Sequence, residues 1–68
     1  MPAERITVEM GGFRKRCTML EKPAQGDDGG LWSRARHGRE EFAITQVWGV
    51  WLKESAWEYI CRVLDGKR

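Results

Sequence analysis

The side chains that could act as a nucleophile or a general base are few in this chain of 68 residues. His37 is the one histidine, and Cys17 and Cys61 are the two cysteines. A cysteine becomes an effective nucleophile when a base lies within hydrogen-bond reach of its thiol, and nothing in the spacing brings His37 to either cysteine. Both cysteines alternate with apolar positions, and free cysteine is among the most buried residue types. We therefore expect two core cysteines and a protein that is not an enzyme.

Metal and cofactor chemistry find no support in the spacing either. Two cysteines and one histidine, widely separated, do not make a structural zinc set. A phosphate-binding glycine loop opens a helix, whereas Gly11-Gly12 and Gly29-Gly30 are typical of turns. We expect no metal and no cofactor.

Guanidinium groups are the side chains best suited to binding here, because they offer rigid forks of donors for phosphate and stack on bases. A solvent-facing tryptophan adds a flat surface, and a basic groove with such a platform holds single strands without reading their sequence. The candidate residues share one predicted sheet face or the hairpin tip beside it: Arg14, Arg16, Trp32, Arg34, Arg36 and Arg39. We predict that this set binds single-stranded DNA or RNA.

The alternative interpretation is a solubilising face. Its arginines would pair with carboxylates on neighbouring strands, as in Glu9 with Arg14 and Arg36 with Glu41. In that case Trp32 is packed under the loop that precedes it and is not a stacking surface.

The start of the chain predicts a β-hairpin. Residues 5–10 alternate polar and apolar side chains, as a half-buried strand does, and Gly11-Gly12 is a two-residue loop signal. Residues 13–20 then form the return strand, with Val8 opposite Lys15. One face of this hairpin carries the expected core side chains: Ile6, Val8, Met10, Phe13 and Cys17.

A second hairpin is predicted over residues 31–47. Its turn is Gly38-Arg39, because glycine in the first position of a two-residue loop suits a type II′ turn. The register puts Ala35 opposite Phe42 on the core side. Residues 22–30, which are rich in glycine and aspartate, are predicted to be a flexible loop.

The C-terminal segment predicts one α-helix. Ser55 and Glu58 match a capping box, so the helix should run over residues 56–65. The chain is then a single domain, residues 1–68, of the α+β class. We expect a four-stranded or five-stranded antiparallel sheet in the order ββββα, with the helix on one face and the arginines on the opposite face in water.

Three tryptophans lie close to one another near the end of the chain. Trp48 and Trp51 flank Gly49, which breaks or bulges the strand, and residues 50–52 complete it or form a short extra strand. A sheet and one helix cannot easily cover these two and Trp57 as well. We therefore predict that Trp48, Trp51 and Trp57 form an apolar patch for a homodimer or a protein partner.

A short motif follows the strands: Gly49-Val50-Trp51-Leu52, then Trp57-Glu58-Tyr59-Ile60 at the start of the helix. This motif, and the order of elements over residues 5–65, resemble the positive-cofactor-four transcriptional coactivators and the related Pur-alpha repeats. The resemblance implies a dimeric domain that binds single-stranded nucleic acid on a curved sheet, with helices covering the other side. It implies that Trp32 stacks on bases and that the sheet arginines contact the nucleic-acid backbone: Arg14, Arg16, Arg34 and Arg36. The chain departs from that family at Trp48, where a basic residue is common.

The overall charge is mildly basic, with a net charge of +2. This charge permits a nucleic-acid partner without demanding one. The first residues lack the apolar run of a signal peptide, and no apolar run approaches the length of a membrane span. We expect a cytoplasmic protein with no membrane partner.

These observations predict a small, non-catalytic binding module. Its expected partner is single-stranded nucleic acid, or an acidic or nucleic-acid-binding protein. The alternative is a phage- or mobile-element-type inhibitor, for example an anti-CRISPR-like protein, that binds a host protein complex. Small size, the excess of tryptophan and the lack of catalytic motifs favour that alternative.

Overall fold

The structure is a computed structural model that describes the backbone of residues 4–66 and the side chains of residues 4–63. Six β-strands precede one α-helix, which confirms the predicted α+β class with a C-terminal helix. The elements in chain order are β1 (Arg5–Glu9), β2 (Arg14–Met19), β3 (Ala24–Gln25), β4 (Leu31–His37), β5 (Glu40–Val47), β6 (Val50–Lys53) and α1 (Glu54–Gly66).

The sheet is mixed and closes into a small barrel. Its strands follow the order β2-β1-β6-β5-β4-β3, and an additional pairing of β2 with β4 closes a ring of five strands. Every neighbouring pair is antiparallel except β1 with β6, where Val8 lies beside Trp51. Strand direction reverses at each antiparallel step. Going round the ring from β1 through β2, β4 and β5 to β6 takes four such steps, so β1 and β6 must run in the same direction.

The predicted open antiparallel sheet, with a helix on one face and water on the other, is wrong. In the barrel one sheet surface lines the interior and the other forms the outer wall. Alternation within a hairpin predicts which side chains share a face, but it does not say which hairpin edges meet. Closing the ring gives partners to the edges of β1 and β2 that an open sheet would leave exposed.

Strand β2 pairs with two neighbours: with β1 along most of its length and with β4 at its C-terminal end. Thr18 is paired with Arg36 of β4, and two residues later the N–H of Leu20 donates to the carbonyl of Arg34 at 2.8 Å. The short strand β3, which lies within the predicted loop of residues 22–30, continues along the same edge of β4. One edge of β4 is therefore covered by two successive pieces of the chain.

The barrel interior holds the core, and the registers predicted for both hairpins are confirmed. Val8 is paired with Lys15 across the first hairpin, and Ala35 with Phe42 across the second. The buried cluster consists of Val8, Cys17, Ala35, Phe42 and Ile44, with Ile6, Met10 and Trp51 packed against it. Among the predicted core residues Phe13 is the exception, since it is 55% exposed beside the β1–β2 turn.

Helix α1 follows β6 directly and packs on the outer wall over β5 and β6. It begins at Glu54, two residues before the predicted start, so Ser55 lies inside the first turn and does not cap it. Thr45 and Leu52 are paired across β5 and β6 and lie outside the core cluster, yet both are buried. Because Ala56 is buried as well, the helix covers outward-facing side chains of the barrel and does not seal a flat sheet.

Candidate nucleic-acid interface

Arginines from β1, β2 and β4 come together on the outer wall around Thr18. Thr18 is paired with Arg5 of β1 on one side and with Arg36 of β4 on the other. Arg16 and Arg34 lie two residues before Thr18 and Arg36 on their strands, so alternation points them to the same surface. With strands about 4.8 Å apart and alternate residues about 6.7 Å apart, the four arginines start within about 14 Å of one another. We call Arg5, Arg16, Arg34 and Arg36 the basic wall.

The basic wall is weakly neutralised. The Nη1 of Arg36 lies 3.9 Å from the Oε2 of Glu41, and these side chains are 48% and 50% exposed. A pair of this kind contributes little in water. In the part of the chain that the structure describes, Arg36 is the wall residue with a carboxylate in salt-bridge range, and the other three arginines are exposed. Close guanidinium groups with so little compensation create a positive field that attracts anions.

The two remaining predicted arginines lie at the margins of this wall. Arg14 is at the other end of β2, where its Nε donates to the Oε2 of Glu9 at 3.1 Å. Arg39 is exposed at the tip of the β4–β5 hairpin. There Gly38 has a φ of 62°, as the first position of the predicted type II′ turn requires. The structure thus groups three of the predicted arginines closely and places Arg14 in an existing ion pair.

Arg5 is the wall residue that the sequence prediction missed. The register of the first hairpin already placed it opposite Thr18, on the face that also carries Arg16. The missing information was that Thr18 also meets Arg36, because the β2–β4 pairing joins two different hairpins. Without that pairing, Arg5 is one exposed charge at the start of a strand.

Trp32 lies two residues before Arg34 on β4, beside the basic wall. Its indole Nε1 donates to the Oδ1 of Asp28 at 2.9 Å, and a Cβ added to Gly26 would lie 2.4 Å from the indole Cδ1. The N–H of Gly30 donates to the same carboxylate oxygen at 2.9 Å. Both hydrogen bonds lower the pKa of the Asp28 carboxyl, and the one from the indole has the larger effect. The loop between β3 and β4 therefore holds one side of the indole in place.

The indole of Trp32 separates two shallow grooves of different charge. The groove beside the basic wall carries Lys22 and Arg34 against the carboxylate of Glu21. The groove on the loop side is lined by three carboxylates, those of Asp27, Asp28 and Glu54. An anionic chain that reaches Trp32 would therefore be drawn to the Arg34 side of the ring.

The three tryptophans predicted to form one patch fall on two surfaces. Trp48 and Trp57 line the same apolar groove, whereas Trp51 packs against the core cluster. Trp48 is 98% exposed at the tip of the β5–β6 hairpin. We call the lining of this groove the tryptophan groove: Val47, Trp48, Val50, Leu52, Trp57 and Ile60.

Trp48 and Gly49 form a two-residue loop between Val47 and Val50, which are paired with each other. Their φ angles are 51° and 78°, and positive φ at both positions is the pattern of a type I′ turn. The sequence predicted that Gly49 breaks or bulges the strand and, as one alternative, that residues 50–52 form a short extra strand, and β6 (Val50–Lys53) confirms that alternative. The break is a turn made of both Trp48 and Gly49, where a bulky residue with positive φ is an outlier.

Cys17 is 1% exposed inside the barrel, which confirms its prediction as a core residue. Burial raises the pKa of its thiol; Glu40 acts in the same direction and Arg5 opposes it. A buried thiol that stays protonated is unreactive. Cys61, which was also predicted to be a core residue, is instead partly exposed on α1.

Metal ligands do not gather in the described part of the chain. Within residues 4–66, no group of three or more His, Cys, Asp or Glu side chains is placed to hold a metal ion. Over the same residues, α1 is too short and too polar to cross a membrane.

Comparison with known proteins identifies no relative: no protein-family model matches the chain, and neither a curated protein nor a solved structure matches it. The resemblance to the positive-cofactor-four and Pur-alpha proteins therefore stays a prediction.

Proposed function

We propose that this protein is a non-catalytic binding module that holds single-stranded nucleic acid on the basic wall. The observation that carries the proposal is the closure of β2 on β4. This pairing gathers Arg5, Arg16, Arg34 and Arg36 around Thr18, and among the described residues one half-exposed carboxylate, that of Glu41, lies in salt-bridge range of them.

Arginine is suited to this task because its guanidinium is always charged and offers parallel donors to phosphate oxygens. The wall crosses three hydrogen-bonded strands, and a closed barrel holds those strands at fixed spacing. The backbones that carry the guanidinium groups are therefore set before a ligand arrives. Contacts of this kind recognise the phosphate backbone and carry no sequence information directly.

Trp32 is the reason that we propose a single-stranded ligand and not a duplex. The indole stands at the edge of the wall beside Arg34, and the loop holds it through Asp28. Bases of a single strand are free to stack on such a ring, at about 1–3 kcal/mol per base, whereas duplex bases are already stacked. The carboxylates on the loop side of the ring disfavour a phosphate chain there. The strand would therefore run along the Arg34 side.

Fluorescence anisotropy of a labelled single-stranded oligonucleotide tests the proposal. Four phosphate contacts predict that the logarithm of the binding constant falls with the logarithm of salt concentration with a slope of about −3. Arg16→Glu should weaken binding strongly. Arg62→Glu, an equal change in charge on the exposed surface of α1, should have a much smaller effect.

Two results would contradict this function. One is the absence of binding at low salt. The other is equal weakening by Arg16→Glu and Arg62→Glu, which would mean that only net charge matters. A stoichiometric protein partner that survives nuclease treatment, together with no affinity for oligonucleotides, would favour a protein partner over nucleic acid.

A further inference from the structure

The tryptophan groove places a protruding indole beside an apolar hollow. The six residues that line the groove are all apolar, and Trp48 projects from its rim with 98% of its surface exposed. The hollow has a volume of about 330 Å³, which is at the lower end of the range for sites that take small ligands. Its size and chemistry suit a single aromatic side chain.

The backbone at Trp48 is strained in a way that favours a role for this side chain. Two-residue loops with two positive φ angles prefer Asn-Gly. Gly49 fits that preference, but Trp48, at a φ of 51°, does not. Strained residues cluster at sites where the strained conformation is used. Here the strained conformation holds a large apolar ring in water, where it gains no stabilisation from burial.

We propose that a second copy of this chain occupies the hollow. Each Trp48 inserts into the partner's groove against Trp57 and Ile60, and the partner's Trp48 does the same in return. A two-fold interface requires one surface that complements itself. A projecting ring and a receiving hollow side by side on one face meet that requirement.

The area of this contact is sufficient for a weak dimer. An aromatic side chain buries about 150–250 Å². Two reciprocal insertions cover two indoles and similar areas of two hollows, so the interface buries about 600–1,000 Å², which suits a weak contact and reaches the lower bound for a specific one at its upper end. Val63, three residues after Ile60 on the same side of α1, is 38% exposed and is available to the same contact. We expect a reversible dimer that dissociates on dilution.

The groove and the basic wall lie on different strands of the barrel. In the ring of five strands, β5 and β6 lie across from β2, the central strand of the wall. Dimerisation through the groove would therefore leave both basic walls accessible. The two activities are separable, so failure of nucleic-acid binding would not affect the dimer proposal, and the reverse also holds.

Size-exclusion chromatography with light scattering, over a range of concentrations, tests this proposal. The wild-type protein should pass from dimer to monomer on dilution, and tryptophan emission should shift to longer wavelength as Trp48 returns to water. Trp48→Asn should raise the dissociation constant at least about 30-fold, as expected for an interface hot spot. Asparagine is favoured at this turn position, so this variant should fold.

Two further variants complete the test. Val50→Lys places a charge in the lining of the hollow and should also give a monomer. Phe13→Asn removes another exposed aromatic ring, beside the β1–β2 turn, and should leave the dimer unchanged. A wild type that is monomeric at all accessible concentrations, or a Trp48→Asn variant that dimerises as the wild type does, would overturn the proposal.

Discussion

Thr18 of β2 lies opposite Arg36 of β4, and this pairing turns two hairpins into a barrel with a basic wall. Through it, Arg5 and Arg16 of the first hairpin come near Arg34 and Arg36 of the second. A contact between two strands that are distant in sequence thus decides both the topology and the candidate binding surface.

Arg5 should contribute to nucleic-acid binding as much as the arginines of β4 do. Arg5→Ala removes one phosphate contact, so the salt dependence of the binding constant should become shallower by about 0.7 in slope. Titrations at several salt concentrations measure this change. Arg62→Ala on α1 serves as the control and should keep the wild-type slope. An unchanged slope for Arg5→Ala would exclude β1 from the interface.

Trp48→Asn should stabilise the monomer. A residue with a side chain in the left-handed region costs about 1 kcal/mol or more, and asparagine tolerates that region best among such residues. Urea unfolding at concentrations below dimer formation should show a gain of roughly 0.5–1 kcal/mol. Gly49→Ala should instead lose about 1 kcal/mol of stability. The space around the added Cβ is open, so this loss comes from the φ of 78° and not from a clash. A Trp48→Asn monomer less stable than the wild type would contradict the strain argument.

The Asp28 carboxylate should stabilise the fold only above its pKa. Hydrogen bonds from Trp32 and Gly30 lower the pKa of this group below its ordinary value of 3.8. A carboxyl with a depressed folded pKa contributes stability above its unfolded pKa and loses it as the pH falls through the folded pKa. The stability difference between wild type and Asp28→Asn should therefore be fully present near neutral pH and shrink progressively below pH 3.8.

Urea unfolding at a series of pH values measures that difference. Asp27→Asn is the control, because it removes the neighbouring loop carboxyl and leaves the hydrogen bond between Trp32 and Asp28 in place. A wild-type advantage over Asp28→Asn that is independent of pH would show that the Asp28 charge does not support the Trp32 contact.

The two cysteines should differ sharply in reactivity. Cys17 is enclosed in the barrel with a raised thiol pKa, whereas Cys61 is partly exposed on α1. Because the thiolate is the reactive species, iodoacetamide should modify Cys61 in the native protein. It should modify Cys17 only after unfolding in urea. Mass spectrometry of the digested protein distinguishes the two sites, and rapid native modification of Cys17 would contradict the barrel core.

Local patterns in the sequence were sufficient to predict the β1–β2 and β4–β5 hairpins. Gly11-Gly12 and Gly38-Arg39 mark tight turns, and with those turns in place the period of two in strands determines each register. Val8 opposite Lys15 and Ala35 opposite Phe42 follow directly. These features depend on residues a few positions apart, so they can be read along the chain.

The tertiary structure alone decided which hairpin edges meet. The β1–β6 and β2–β4 pairings join residues far apart in sequence, and alternation gives the same pattern whether a strand edge is free or paired. Closure made Arg5 part of the wall and brought Trp51 beside Val8 of β1, against the core cluster. The physical reason is that the side-chain period reports which face is buried, whereas strands pair through backbone hydrogen bonds that every residue type except proline offers in full.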